Sequence, residues 1–181
     1  MRIDLQSGLL TEAKYIPSPN CDERPDADNI DLLVIHNISL PPAQFGGPYI
    51  EQLFTNCLQP DIHPYFKDIC ELQVSSHFLI RRDGEIIQFV PVHKRAWHAG
   101  ESNFAGRSRC NDFAIGIELE GADDVPYEDI QYEKLIEITR ALQRQYPAII
   151  TDHIVGHSDI APERKTDPGP AFNWSYFLSE L

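Results

Sequence analysis

A continuous apolar run at residues 32–35, Leu-Leu-Val-Ile, constrains the fold more than any other feature of the chain. The run ends at His36 and Asn37, and Pro41 and Pro42 follow shortly after. A strand that is apolar at every position, instead of at alternate positions, is typical of the buried middle of a sheet. The run therefore predicts a buried central strand with His36 at its carboxyl end.

Other patterns along the chain predict alternating strands and helices. Residues 76–81 and 85–90 flank Asp83 and Gly84, a dipeptide that favours the tight turn of a β-hairpin. Apolar residues at helical spacing predict helices over 49–58 and 127–146, with Pro147 ending the second. We also predict strands at 113–120 and 154–156. Together these elements indicate an α/β fold with a central mixed β-sheet flanked by α-helices.

Composition limits the classes of protein that the chain can represent. With 181 residues, of which 42% are hydrophobic, we expect a single domain over residues 1–181. The polar start of the chain and the lack of any apolar stretch of roughly 18 residues predict a cytoplasmic protein without a membrane partner. A net charge of -13 disfavours nucleic acid as a partner. We expect no obligate protein partner, and four free thiols, because the cysteines are far apart.

The segment 157–170 contains a histidine, a lysine and an aspartate close together in an irregular, proline-rich stretch. Two histidines and a carboxylate suffice for a catalytic zinc ion whose fourth position is left to water. We take His36, His157 and Asp167 as the candidate ligands. Spacing alone does not exclude Asp159 or the remaining histidines, which are His63, His77, His93, His98 and His153.

A zinc hydrolase that cleaves an amide also needs a proton carrier and a cation for the developing oxyanion. Glu118 is the candidate carrier, since Ala114 and Gly116 share its face of the predicted strand and leave space for substrate. Glu120 is the alternative, but it lies nearer the end of the strand, where we expect it to be solvated. Lys165, two residues before Asp167, is the candidate cation.

Five segments together resemble one family. They are residues 34–39, 76–84, 95–100, 111–119 and 157–170, and they are similar to segments of the N-acetylmuramoyl-L-alanine amidases of the zinc amidase and peptidoglycan-recognition superfamily. The resemblance covers nearly the whole chain. Within that superfamily, residues 45–48 (Phe-Gly-Gly-Pro) and 161–170 are most similar to the cytoplasmic amidases of peptidoglycan recycling that act on 1,6-anhydro-N-acetylmuramyl-L-alanine.

The resemblance implies a role for each candidate residue. It makes His36, His157 and Asp167 the ligands of one Zn²⁺ ion and places Glu118 and Lys165 at catalytic positions. It implies cleavage of the amide between anhydro-muramic acid and L-alanine in an anhydro-muropeptide. Residues implied to lie near this substrate are Asn37, Trp97, Arg109, Ala161 and Arg164. Gln73 stands where the family pattern leads us to expect an arginine at the diaminopimelate end of the peptide.

Two other functions stay open at this stage. Some members of the superfamily bind muropeptides without cutting them after losing a metal ligand, but here all three ligand positions are filled. A phage-type or wall-degrading amidase acting on polymeric peptidoglycan is the second alternative. No export signal or wall-binding domain is visible in the sequence, which makes that alternative weaker.

Overall fold

A computed structural model describes all residues, 1–181. The strands are β1 (Lys14–Tyr15), β2 (Cys21–Glu23), β3 (Leu32–Ile38), β4 (Phe78–Ile80), β5 (Ile86–Gln88), β6 (Lys94–Ala96), β7 (Asn103–Phe104), β8 (Arg107–Ser108), β9 (Ala114–Glu120) and β10 (Ile154–Gly156). The helices are α1 (Tyr49–Phe54), α2 (Phe66–Ile69), α3 (Asp129–Gln145), α4 (His157–Ile160) and α5 (Trp174–Ser179).

Six strands form the main sheet in the order β1-β5-β4-β9-β3-β10. The neighbouring pairs are parallel except for β4 and β5, which form the antiparallel hairpin predicted at Asp83 and Gly84. Gly84 has a φ of +86°, a conformation that glycine adopts without strain. The prediction of an α/β fold with a mixed sheet is therefore confirmed.

The central strand β3 is buried on both faces, as its apolar run predicts. On one face, Leu33 and Ile35 belong to the same core cluster as Leu135 and Ile138 of α3. On the other face, Leu32 and Val34 pack with Ala114 and Ile160. Each fully buried side chain of this size contributes roughly 1.5–3 kcal/mol. The strand continues to Ile38, two residues beyond the expected end, so His36 lies within the strand and not at its terminus.

The long helix α3 is shorter than its pattern predicted, because its ends are fixed by specific contacts. At the amino end, the backbone N–H of Glu128 donates to Oε1 of Gln131 at 3.1 Å, and Pro147 lies shortly after the carboxyl end. None of the helices has the length and apolar character needed to span a bilayer. All four cysteines are free thiols, as expected.

Candidate metal and active site

Three side chains meet on the sheet at the strand pair β3 and β10. The Nδ1 atoms of His36 and His157 lie 3.0 Å apart, and each lies 3.1 Å from Oδ2 of Asp167. Strand β10 pairs with β3 in parallel, with Gly156 opposite Ile35. The next residues along the two strands, His157 and His36, are therefore brought together. The two imidazoles are almost fully buried.

The outward nitrogens of both histidines also have partners. Nε2 of His157 lies 3.2 Å from the carbonyl oxygen of Ala99, and Nε2 of His36 lies 2.9 Å from Nδ1 of His98. A carbonyl oxygen only accepts hydrogen bonds, so Nε2 of His157 is the donor in this contact, and its Nδ1 faces Asp167. Burial lowers the pKa of His36 to about 4, so this imidazole is neutral at pH 7.

The donor set fits a zinc ion. Ligand atoms about 2.0–2.1 Å from a tetrahedral zinc lie roughly 3.3 Å from one another, close to the spacing of the three atoms here. Burial by itself raises the pKa of Asp167, but hydrogen bonds from His157 and His36 outweigh it and lower that pKa below its ordinary value. Asp167 is therefore a carboxylate at neutral pH. These are the only residues that form a group of this kind in the chain.

The turn that carries Asp167 is held from two sides. Asn37 donates from Nδ2 to the carbonyl oxygen of Pro168 at 3.1 Å, and the hydroxyl of Tyr127 donates to the same oxygen at 2.7 Å. Asp159, the competing carboxylate, instead accepts a hydrogen bond from the backbone N–H of Gly156 at 2.7 Å. It thereby caps the first turn of α4 and lies outside the three-residue group.

Glu118 lies on β9 directly opposite His36 on β3. Its side chain is 8% exposed, and Oε2 has no hydrogen-bond partner. Burial, followed by the negative charge of Asp167, raises the pKa of this carboxyl well above its ordinary value, and Lys165 partly offsets the shift. A carboxyl group with a raised pKa beside candidate metal ligands is suited to taking up and releasing a proton during a reaction.

A cavity of about 360 Å³ joins these groups to solvent. His36, His157, Asp167, Glu118 and Lys165 all line it. Its other wall is largely apolar and was not identified from the sequence; it includes Leu40, Leu53, Tyr65, Ile69 and Leu72. The cavity thus has a polar end, which carries the three candidate metal ligands, beside an apolar wall.

The residues implied to contact substrate fall into two groups. Asn37 and Trp97 line the cavity, and the indole N–H of Trp97 donates to Asp22 at 3.3 Å. Arg109 is largely exposed and pairs with Asp112, while Arg164 donates to the carbonyl oxygens of Ala99 and Glu101. Arg109, Arg164 and Ala161 do not line the cavity, nor does Gln73, which is exposed.

Two expectations for the strand of Glu118 were wrong. Glu120 is not solvated: it is 2% exposed, pairs with Arg81 at 3.1 Å and accepts from the backbone N–H of Gly46 at 2.6 Å. Gly116 does not leave space for substrate, because a Cβ atom there would lie 2.5 Å from the ring of His98. Because Gly116 has no side chain, the ring of His98 fits against β9. The carboxylate of Glu120 holds the loop around Gly46.

Comparison with known proteins agrees with the fold and identifies the family. The family model described as N-acetylmuramoyl-L-alanine amidase matches residues 26–170. The chain belongs to this family. It is 61% identical over 177 residues to the 1,6-anhydro-N-acetylmuramyl-L-alanine amidase AmpD of Enterobacter cloacae, covering 98% of this chain and 94% of that protein. The resemblance inferred from the sequence segments is thus confirmed.

Solved structures give the same result. A crystal structure of a selenomethionine derivative of AmpD superposes with a TM-score of 0.96 at 57% identity, covering 100% of this chain and 99% of the other. The amidase AmiD of E. coli, in complex with the substrate anhydro-N-acetylmuramic acid-L-Ala-D-gamma-Glu-L-Lys, superposes with a TM-score of 0.63 at 30% identity. That match covers 95% of this chain and 60% of AmiD.

Proposed function

We propose that the protein is a zinc-dependent amidase that hydrolyses the amide between 1,6-anhydro-N-acetylmuramic acid and L-alanine in muropeptides, in cytoplasmic peptidoglycan recycling. The 61% identity to AmpD over nearly the full length of both chains supports the substrate and reaction. The observation that carries the chemistry is the buried, unpartnered carboxyl of Glu118 in one cavity with the three candidate ligands.

His36, His157 and Asp167 would hold the ion. Zinc bound there supplies a Lewis acid that polarises the scissile carbonyl and lowers the pKa of the attacking water. Both imidazoles are prepared for this role, since their outward nitrogens are engaged by His98 and Ala99. The single carboxylate among the ligands leaves the site with a net positive charge.

Glu118 acts as the proton carrier of the reaction. Its raised pKa allows it to take a proton from the attacking water and then deliver that proton to the nitrogen of L-alanine as the amide bond breaks. Lys165, which lines the same cavity, stabilises the negative charge that develops on the carbonyl oxygen. One cavity thus holds both the carboxyl that takes up the proton, Glu118, and the cation that stabilises the oxyanion, Lys165.

The remaining candidate residues bind the substrate around the scissile bond. Asn37 and Trp97 lie in the cavity, where they contact the sugar and the first residues of the peptide. Arg109 and Arg164 provide guanidinium groups for the carboxylates of the stem peptide. Ala161 lies next to Arg164 in space, since its carbonyl oxygen accepts from the backbone N–H of Arg164 at 3.0 Å. On a chain with a net charge of -13, such local cations are needed to hold an anionic peptide.

The test is to incubate zinc-loaded protein with an anhydro-muropeptide and, separately, with intact sacculi, and to identify products by mass spectrometry. We expect release of the free stem peptide from the anhydro-muropeptide. The Glu118→Gln variant serves as the matched control, and it should bind zinc but release peptide about 10²–10⁴-fold more slowly. Rapid cleavage of sacculi would favour a wall-degrading amidase, and cleavage of neither substrate would leave only a binding module.

A further inference from the structure

The segment Trp97-His98-Ala99-Gly100, which we call the WHAG loop, contacts the nitrogen of each histidine ligand that points away from Asp167. Nδ1 of His98 lies 2.9 Å from Nε2 of His36, and the carbonyl oxygen of Ala99 lies 3.2 Å from Nε2 of His157. Two consecutive residues of one loop therefore provide the partners of both outward nitrogens. The position of this loop determines which nitrogen of each imidazole faces the ion.

Asn111 fixes the loop at these two residues. Its side-chain oxygen Oδ1 accepts hydrogen bonds from the backbone N–H of His98 at 3.1 Å and from that of Ala99 at 2.8 Å. One oxygen atom thus holds both residues that contact the ligands. Asn111 does not line the cavity, so it has no contact with a substrate bound there.

Asn111 is itself held through its backbone carbonyl oxygen. The buried guanidinium of Arg24 donates to the carbonyl oxygen of Asn111 at 3.0 Å and to that of Ala114 at 2.8 Å. The ring of His98 meanwhile packs against Gly116 on β9, where any side chain would collide with it. The WHAG loop is therefore held between Asn111 and the sheet.

We propose that Asn111 is a positioning residue for the metal: through the WHAG loop it orients both histidine ligands and so increases the affinity of the site for zinc. The proposal rests on the proposed function, because it assumes that zinc binds at His36, His157 and Asp167. Removing the outer partners of metal ligands typically lowers metal affinity about 10–100-fold. One oxygen atom of Asn111 holds the residues that contact both ligands. The decrease in zinc affinity when this oxygen is removed should therefore lie in the same range.

The experiment measures the zinc dissociation constant by competition with a chromophoric chelator, without substrate. Asn111→Ala removes the accepting oxygen and should weaken zinc binding at least tenfold. Asn111→Asp keeps an oxygen at that position and should bind zinc within about threefold of the unmodified protein. Asn173→Ala is the matched control: it removes the side-chain oxygen that caps α5, so it should lower thermal stability without changing zinc affinity.

A second pair of variants tests the loop directly and decides the matter if Asn111→Ala does not fold. His98→Leu removes the partner of His36 and should weaken zinc binding, whereas His98→Asn keeps an acceptor near the position of Nδ1 and should restore much of it. Zinc affinity of folded Asn111→Ala equal to that of the unmodified protein would overturn the proposal, as would equal affinities of the two His98 variants. Failure of the unmodified protein to bind zinc would instead refute the proposed function itself.

Discussion

Replacement of Glu118 by glutamine preserves the shape of the side chain and removes its ability to carry a proton. The carboxyl is buried, its Oε2 atom has no partner, and it faces the candidate metal ligands. General acid–base groups contribute about 10²–10⁴-fold to turnover. The kcat of Glu118→Gln should fall by this factor, equivalent to about 3–5 kcal/mol in the activation free energy. Zinc content should not change, because Glu118 is not among the ligands.

The same substitution should make the metal-free protein more stable at neutral pH. Burial raises the pKa of Glu118 above 4.5, so the folded chain binds this proton more tightly than the unfolded chain does. The resulting stability is complete below the ordinary pKa and is lost as the pH rises through the raised value. Each unit of the shift corresponds to about 1.4 kcal/mol. Glutamine does not titrate, so the variant does not lose this stability. The free energy of unfolding of the variant should equal that of the unmodified protein near pH 4 and exceed it increasingly at higher pH.

Three measurements check this reasoning. Product formation followed by mass spectrometry gives kcat, elemental analysis gives the zinc content, and denaturant unfolding of the metal-free proteins between pH 4 and pH 8 gives the free energy of unfolding. If Glu118→Gln retains more than a tenth of the activity, the proton carrier is another residue. If the variant is no more stable than the unmodified protein at pH 7, the burial argument is wrong.

Four further substitutions test the assigned roles. Asp167→Ala should lose zinc in elemental analysis, whereas Asp159→Ala should keep it and show only lower thermal stability, because Asp159 caps α4; equal zinc contents would refute the ligand assignment. Lys165→Met should lower kcat about 10²–10³-fold with zinc retained. It should also move the acid limb of the pH profile to higher pH, since Lys165 lowers the pKa of Glu118. An unmoved limb would show that the charge of Lys165 does not influence the titration of Glu118. Gln73→Arg should lower KM for peptides that contain diaminopimelate, relative to peptides that contain lysine, and unchanged kinetics would place this side chain outside the peptide site.

Much of the fold was predictable because its strongest signals are local. The apolar run of β3, the Asp83-Gly84 turn and the helical spacing of α3 depend on burial and backbone preferences within short stretches of chain. The ends of these elements were less accurate. The capping contacts that end α3, and the pairing that extends β3 beyond His36, involve specific neighbours that periodicity does not reveal.

Prediction of the site depended on two kinds of information. Residue chemistry and spacing identified the candidates but did not exclude Asp159, the other histidines or Glu120. The family resemblance favoured His36, His157 and Asp167 as ligands and Glu118 as the proton carrier. The surroundings of Glu120 were not predictable, because its partner Arg81 directly follows a different strand, β4. The size of residue 116 suggested open space, but only the packing identified His98 as the group that fills it.

By itself, the sequence determined the type of fold, the family and the set of chemical groups available for catalysis. The tertiary structure decided which of those groups meet. His36 lies 121 residues from His157 and 131 from Asp167 along the chain, and their ligand atoms approach to 3.0–3.1 Å only because β3 pairs in parallel with β10. The same pairing of β3 with β9 brings in Glu118 and buries it. Its pKa, and with it the proposed chemistry, depends on that burial, which no local pattern specifies.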